Sequence, residues 1–324
     1  MKAIVCHEFS AIENLAYEDF PNPVANANQV VVKVASAGVN FPDGLLVQGL
    51  YQIKPDFPFV PGSEIAGEVL SVGENVKHVK VGQKVIGICR LGGYAEEVVI
   101  PANQVMPLPE GIPLEEASAL ATAHATAHHA LKQRAQIKPG ETLLVTGAAG
   151  GTGLAAIQIG KAMGAKVIAC CSTDEKCEVA RQQGADETIN YSECDLKDTV
   201  KAMTNGKGVD VVYECVGGDT FHACSRIMAW AGRLLVIGFA GGEIPKFPVN
   251  LALVKGYSVV GVFWGSFVQH QPQDFVENMH ELVKWYLEGK VKVHIDKAFK
   301  LSEAVDALQY VAGRQVKGKV VLIP

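Results

Sequence analysis

Nine residues near the middle of the chain, Val145-Thr-Gly-Ala-Ala-Gly-Gly-Thr-Gly153, have the composition and spacing of a phosphate-binding loop. They follow an apolar run that predicts a strand and open a run that predicts a helix, which is the context such a loop requires. Glycines at 150 and 151 let the backbone approach a pyrophosphate, and Gly153 allows close packing of the helix on the sheet. The helix N-terminus adds unpaired N–H groups and a partial positive charge. The pattern predicts a dinucleotide site that uses Ala149, Gly150, Gly151 and Thr152.

The end of the following strand indicates which dinucleotide binds. An NAD site places a carboxylate there, about 20 residues beyond the loop, for the ribose 2′-hydroxyl. Here the strand ends in Ala169-Cys-Cys-Ser-Thr173, without an acid, and Lys176 follows within one turn. A hydroxyl and a lysine suit a 2′-phosphate, so the sequence favours NADPH over NADH. The neighbouring Asp174 and Glu175 weaken this electrostatic argument, although they also suit the N-terminus of the next helix.

Two further patterns imitate functional sites. Tyr286-Leu-Glu-Gly-Lys290 matches the Tyr-xxx-Lys pair of short-chain dehydrogenases, but about 140 residues precede the glycine loop and no serine stands shortly before the tyrosine. We interpret that pair as a solvated helix end. His124 and His128 share a helix face and could support a metal, yet no third ligand has sensible spacing. We interpret these histidines, with His129, as structural or cofactor-adjacent.

The elements that must position these residues change character along the chain. In residues 1–110, short β-branched runs such as Lys84–Ile88 alternate with turn residues, which predicts an all-β, partly open barrel or sandwich. Residues 113–135 have a helical composition. From Glu141 onward, strands and helices alternate, which is typical of a parallel sheet covered on both faces. A long helix near Pro272–Glu288 and a mixed tail follow.

Composition bounds the class of protein. The 324 residues suit two domains, 48% of them are hydrophobic, and the net charge is −5 (29 basic against 34 acidic residues), which gives nucleic-acid binding no support. No apolar stretch resembles a signal peptide or a membrane span, so we expect a cytoplasmic protein. The eight cysteines show no C-x-x-C pair and no structural-zinc spacing, and we expect free thiols.

Several motifs in order resemble the medium-chain dehydrogenase/reductase superfamily, specifically its zinc-free quinone oxidoreductase (zeta-crystallin-like) branch. The resemblance covers essentially the whole chain. The motifs that carry it are Ala37-Gly-Val-Asn-Phe-Pro-Asp43, Phe59-Val-Pro-Gly-Ser-Glu-Ile-Ala-Gly-Glu-Val69, Ala148-Ala-Gly-Gly-Thr-Gly153, Gly184-Ala-Asp186 with Ile189-Asn-Tyr191, and Gly318-Lys-Val-Val-Leu322.

The resemblance implies an α/β protein with a GroES-like β-rich catalytic domain and an inserted Rossmann-type doubly wound parallel sheet. The expected boundaries are 1–122 for the first part of the catalytic domain, 123–266 for the NADPH-binding domain and 267–324 for the rest of the catalytic domain. Zinc-dependent relatives carry a cysteine where Val39 or Asn40 stands and a histidine where Ser63 stands, so we expect no metal.

Carried over position by position, the resemblance assigns further site residues. Asn40 is expected beside nicotinamide and substrate, and Tyr51 as a donor of a proton or a hydrogen bond. Ser172, Lys176 and Tyr191 match a 2′-phosphate pocket. Residues that match cofactor contacts on the linker helix, at strand ends and near the cleft are Thr126, Cys215, Gly238, Phe239, Ala240, Val262, Phe263, Trp264 and Arg314.

Three functions remain open at this point. The first is an NADPH-dependent, zinc-independent reductase of quinones or similar electron-poor conjugated acceptors. The second is an enoyl reductase acting on an acryloyl-CoA-like substrate or enone, and the third is a weakly catalytic NADPH-binding structural or regulatory protein. The resemblance also implies a homodimer, for which the apolar segment Tyr257–Trp264 is a candidate edge-strand contact. A small molecule is the only other partner expected.

Overall fold

The computed structural model describes residues 1–324 and divides into two compact units. Unit 1 comprises Met1–Thr122 and Val293–Pro324, and unit 2 comprises Ala123–Lys292. The chain therefore leaves unit 1, builds the whole of unit 2 and returns. The second boundary between the units lies at 292/293, whereas the sequence predicts 266/267.

Unit 1 is built mainly from short strands. Elements are numbered along the chain. Its N-terminal part contains β1 (Lys2–Val5), β2 (Ala16–Asp19), β3 (Gln29–Val39), α1 (Phe41–Val47), β4 (Glu64–Val72), β5 (Lys84–Ile88), β6 (Glu97–Pro101) and β7 (Val105–Pro107), and helix α2 (Leu114–His129) crosses into unit 2.

Unit 2 alternates strands with helices. Its strands are β8 (Thr142–Thr146), β9 (Lys166–Cys171), β10 (Glu187–Asn190), β11 (Val209–Glu214), β12 (Met228–Val236) and β13 (Ser258–Gly261). Its helices are α3 (Gly151–Ala162), α4 (Asp174–Gln182), α5 (Leu196–Met203), α6 (Gly218–Ser225), α7 (Asn250–Lys255), α8 (Trp264–His270) and α9 (Pro272–Leu287). The returning segment of unit 1 then adds β14 (Ile295–Lys300), α10 (Ala304–Ala312) and β15 (Lys319–Ile323).

The main sheet of unit 1 has seven strands in the order β14-β15-β3-β4-β5-β7, with β6 also paired to β3. Most pairs are antiparallel, and a separate two-stranded sheet joins β1 to β2. The β-branched run at the start of β3 supplies buried side chains at Val30, Val32 and Val34. The last strand, β15, pairs antiparallel with β3 (Val321 opposite Gly38), which brings the end of the chain beside the first motif.

The sheet of unit 2 has six parallel strands in the order β10-β9-β8-β11-β12-β13. Strand order reverses between β8 and β11, which is the topological switch point of a doubly wound fold. Ligands of such sheets bind beyond the carboxyl ends of the strands at that point. The phosphate-loop motif follows β8 and therefore lies there.

Helix α9 explains the displaced boundary. The helix was predicted correctly, but it packs within unit 2, against the end of α2 and the π-helical turn Ala130–Arg134 that follows. Glu281 accepts hydrogen bonds from His128 at 2.9 Å and Lys132 at 2.7 Å, and the Asn278 and Gln133 amides pair. These polar contacts hold the helix to unit 2 rather than to the returning strands.

The structure also bears on the cysteines and on membrane-spanning helices. The eight cysteines are free thiols, seven of them buried and Cys194 exposed. None of the helices combines the length and apolar character that crossing a membrane requires.

Candidate active site

The loop between β8 and α3 has the backbone geometry that an anion requires. Gly147 has a left-handed φ of 56°, and a Cβ at Gly153 would lie 2.4 Å from the Gly147 carbonyl oxygen. Only glycine fits at 153 without moving the loop backbone. Gly150 forms the N-cap of α3 and provides no side chain to satisfy the first N–H groups. The loop thus fits a pyrophosphate, whose oxygens would accept those bonds.

The side chain of Thr152 anchors this loop. Its hydroxyl oxygen lies 2.6 Å from the hydroxyl of Tyr213, a fully buried residue of β11. This hydrogen bond ties the first turn of α3 to the neighbouring strand. Ala149, Gly150 and Gly151 lie beside it in the same turn.

The residues predicted to bind a 2′-phosphate lie at the ends of β9 and β10. Strand β9 ends at Cys171, Ser172 follows, and the Tyr191 N–H donates to the Cys171 carbonyl at 3.1 Å. Burial raises the pKa of Tyr191, and a side-chain hydrogen bond with Ser172 opposes the rise. Lys176 lies in the first turn of α4, partly buried.

One of the two neighbouring acids, Asp174, has another role. The Thr173 hydroxyl caps α4 by accepting from the Lys176 N–H at 3.2 Å. Asp174 accepts a hydrogen bond from the Asn190 side chain at 2.9 Å and stands in the first turn of the helix. This carboxylate, one of the two that weakened the NADPH argument, is thus engaged with β10 and with the helix dipole.

The predicted nicotinamide-side segments follow the ends of three neighbouring strands. Cys215 follows β11, and its carbonyl accepts from the Ala240 N–H at 2.9 Å, which joins it to the loop of Gly238 and Phe239 beyond β12. Val262 follows β13 and donates to the Val236 carbonyl at 3.0 Å. Beyond it, Phe263 is exposed and Trp264 packs edge-on against Phe275.

A buried carboxylate that sequence reasoning missed orders one of these segments. Glu214, fully buried at the end of β11, accepts from the N–H groups of Val216 at 2.9 Å and Gly217 at 3.0 Å. The Thr146 hydroxyl donates to the same carboxylate at 3.2 Å. Burial raises the pKa of Glu214, and these hydrogen bonds oppose the rise. The carboxylate thereby fixes the turn after Cys215.

Two histidines of α2, His128 and His129, are engaged in packing. His128 bonds to Glu281, and burial lowers its pKa to about 4, so it is neutral at neutral pH. His129 stacks on Phe267 with ring centroids 3.8 Å apart. Thr126 lies one turn before this pair and is partly exposed. No group of three or more His, Cys, Asp or Glu side chains in the chain is arranged to hold a metal ion.

In unit 1, Asn40 is the centre of a buried polar cluster. Its side-chain Nδ2 donates to Glu64 Oε1 at 2.7 Å, and its Oδ1 accepts from Lys319 Nζ at 2.7 Å. Its backbone N–H donates to Asp43 Oδ2 at 2.8 Å, which begins α1, and Tyr94 donates to the same oxygen at 2.7 Å. We call Asn40, Asp43, Glu64, Tyr94 and Lys319 the Asn40 cluster.

Tyr51 lies close to this cluster. Burial raises the pKa of Tyr51, and the nearby Asp43 carboxylate raises it further, so the phenol keeps its proton at neutral pH. Arg314 lies in an exposed turn before β15, with a left-handed φ of 57°.

Of the Asn40 cluster, only Asn40 was predicted to be functional. Asp43 stands three residues after Asn40, the spacing of a capping box, and this local signal could have revealed it. Lys319 and Glu64 are separated by 255 residues, and no local pattern indicates their contact.

Comparison with known proteins supplies the family. The Alcohol dehydrogenase GroES-like domain family matches residues 26–110, and the Zinc-binding dehydrogenase family matches residues 151–285. A curated relative from Nematostella vectensis, the quinone oxidoreductase-like protein 2 homolog, is 41% identical over 325 residues, which cover 99% of this chain and 88% of the relative. The chain belongs to the quinone oxidoreductase-like family of the medium-chain dehydrogenase/reductase superfamily.

Solved structures agree over the full length of this family member. Escherichia coli quinone oxidoreductase, crystallised in complex with NADPH, is 32% identical with a TM-score of 0.94, covering 100% of both chains. A 2-haloacrylate reductase is 31% identical with a TM-score of 0.86, covering 100% of this chain and 99% of the other. The expected fold class is confirmed, and the chain is an oxidoreductase of this superfamily.

Proposed function

We propose that this family member is an NADPH-dependent, zinc-independent reductase of quinones or similar electron-poor conjugated acceptors. The observation that carries the proposal is the nucleotide site of unit 2. The uncapped N-terminus of α3 suits a pyrophosphate, and the strand end at Ser172 offers hydroxyls and a lysine where an NAD site has a carboxylate. The NADPH complex of the E. coli relative supports the same cofactor.

The reaction needs little chemistry from the protein. Bound NADPH supplies a hydride, and one proton completes the conversion of a quinone to a hydroquinone. A quinone is already electron-poor, so no Lewis acid is required to activate it. Ser63 stands where zinc-dependent relatives have a histidine, and Val39 or Asn40 stands where they have a cysteine, which supports a reaction without zinc.

The chain's own residues orient the acceptor and manage the proton. One N–H of the Asn40 amide is engaged by Glu64, and the other donates to the oxygen of the acceptor, where negative charge develops. Tyr51 remains a phenol at neutral pH and donates a hydrogen bond or the proton. Thr126, Cys215, Gly238–Ala240 and Val262–Trp264 contact the cofactor, and Arg314 is a further contact.

The test is a comparison of acceptors and cofactors. NADPH oxidation is followed at 340 nm with a panel of quinones, enones and enoyl thioesters, and then with NADH in place of NADPH. The proposal expects turnover with quinones and a preference for NADPH. NADPH binding without turnover of any acceptor would support a structural or regulatory role instead.

A second candidate is reduction of an activated carbon–carbon double bond. The similarity to a 2-haloacrylate reductase over the whole chain favours this candidate. Acrylates and quinones are both electron-poor conjugated systems that accept a hydride. Turnover confined to acrylates or enoyl thioesters in the same panel would select this candidate.

We also propose a homodimer formed through β13. This strand is the outer strand of the six-stranded sheet, and Val259 within it is 38% exposed. An unpaired strand edge is a template for pairing with a second copy. Sedimentation velocity should give the mass of two chains for the natural protein and that of one chain for Val259→Pro.

A further inference from the structure

Lys319 and Glu64 form an ion pair that is closed to solvent. Their side chains are 5% and 0% exposed, and Nζ lies 2.8 Å from Glu64 Oε1. The ammonium group also donates to Asn40 Oδ1 at 2.7 Å and to the Val39 carbonyl at 3.3 Å. Three acceptors use its three protons, so Lys319 has none left for a substrate.

Both oxygens of the Glu64 carboxylate are also engaged in hydrogen bonds. Oε1 accepts from Asn40 and Lys319, and Oε2 accepts from the Thr122 N–H at 2.6 Å. A Cβ at Gly38 would lie 2.3 Å from Oε1, so the glycine in β3 makes room for this carboxylate. The position of the ion pair is therefore fixed from several sides.

The pair determines which way the Asn40 amide faces. An ammonium group can only donate and a carboxylate can only accept, so Oδ1 must face Lys319 and Nδ2 must face Glu64. The flipped amide would oppose donor to donor and acceptor to acceptor. One Nδ2–H and one Oδ1 lone pair remain, and Asn40 is partly exposed.

Stability alone is a weak reason to bury such a pair, because well-packed apolar residues often stabilise a fold as much. We propose that Glu64 and Lys319 are positioning residues that lock the Asn40 amide so that its remaining N–H faces the acceptor in the hydride-transfer step. This inference rests on the proposed function. The lysine also polarises the amide through Oδ1, which strengthens the donor on the opposite side.

The experiment is a double-mutant cycle between Lys319 and Asn40. Lys319→Met removes the donor and keeps the length of the side chain. In the natural background it should lower kcat for quinone reduction about tenfold or more, with NADPH affinity changed less than about twofold. In an Asn40→Ala background it should change kcat less than about twofold, because the group through which it acts is gone. Lys319→Arg should retain more activity than Lys319→Met.

A second pair of variants separates positioning from folding. Glu64→Gln with Lys319→Met removes both charges, and Val320→Ala is a packing control on the same strand, buried in the core of unit 1. We expect the doubly neutral variant to regain thermal stability but not kcat, and the deuterium isotope effect with [4-²H]NADPH to rise. The packing control should lower stability and leave kcat unchanged.

Different results refute different statements. Equal losses from Lys319→Met in both Asn40 backgrounds, or recovery of kcat together with stability in the doubly neutral variant, would overturn the positioning role. Natural protein that binds NADPH but reduces no acceptor would refute the proposed function, and the inference with it. Natural protein that is active, with an equally active Lys319→Met variant, would refute the inference alone.

Discussion

The burial of Asp43 should make the free energy of unfolding depend on pH, and the substitution Asp43→Asn should remove this dependence. Burial raises the pKa of this carboxyl from 3.8 to about 6, although hydrogen bonds from Tyr94 and the Asn40 backbone oppose the rise. Protons therefore bind the folded state more tightly than the unfolded chain. The stability that this group contributes is fully present below about pH 4 and is lost as the pH rises through about 6.

The size of the effect follows from the two pKa values. The interval from 3.8 to about 6 corresponds to about 3 kcal/mol in the free energy of unfolding. Asparagine carries no charge at any pH. The unfolding free energy of the natural protein minus that of Asp43→Asn should therefore fall by about 3 kcal/mol between pH 3.5 and pH 7.5. The substitution also alters hydrogen bonding, which shifts the difference in unfolding free energy by the same amount at every pH and leaves its pH dependence unchanged.

Urea unfolding followed by near-ultraviolet circular dichroism at several pH values measures the difference. Asp56→Asn, at an exposed position of unit 1, is the matched control for the change in net charge. A difference between natural protein and Asp43→Asn that stays constant over this pH range would show that Asp43 does not titrate as its burial implies. A difference that grows with pH would reverse the sign and refute the argument outright.

Four further outcomes are expected. Lys176→Ala should weaken NADPH about tenfold or more, measured by fluorescence titration, and NADH far less; equal losses would contradict a 2′-phosphate contact. Gly153→Val should abolish binding of both nucleotides while circular dichroism stays native, since its Cβ would lie 2.4 Å from the Gly147 carbonyl oxygen. A chelator should leave turnover unchanged, and a loss restored by zinc would reveal a metal. Glu281→Gln should lower stability by about 1 kcal/mol in urea unfolding, because His128 and Lys132 lose a charged partner.

Much of the fold could be predicted because local patterns encode it. The β-branched run Lys84–Ile88 is β5 itself, and the helix expected near Pro272–Glu288 is α9. Alternation from Glu141 onward indicated a parallel sheet, which the strand order confirms. The domain boundary near α9 could not be read in this way, because it depends on side-chain contacts with α2 rather than on the helix's own periodicity.

The same distinction between local and long-range signals applies to the residues of the candidate site. The glycine loop and the strand end at Ser172 are contiguous in sequence, and spacing alone indicated their chemistry. The partners of Asn40 are not contiguous, and Glu214 resembles any acid at the end of a strand until its three donors are seen. A charged residue in a mostly apolar strand, such as Lys319 in β15, is the sequence signal that could have indicated a buried polar partner.

The split of unit 1 between the two ends of the chain has a consequence for the Asn40 cluster. Glu64 lies in β4 and is fully buried, and a buried carboxylate without a cation is strongly destabilising. Its cation comes from β15, which pairs antiparallel with β3. The Asn40 amide therefore cannot reach its locked orientation in a chain that lacks β15. The proposed orientation of the Asn40 amide thus requires the pairing of β15 with β3.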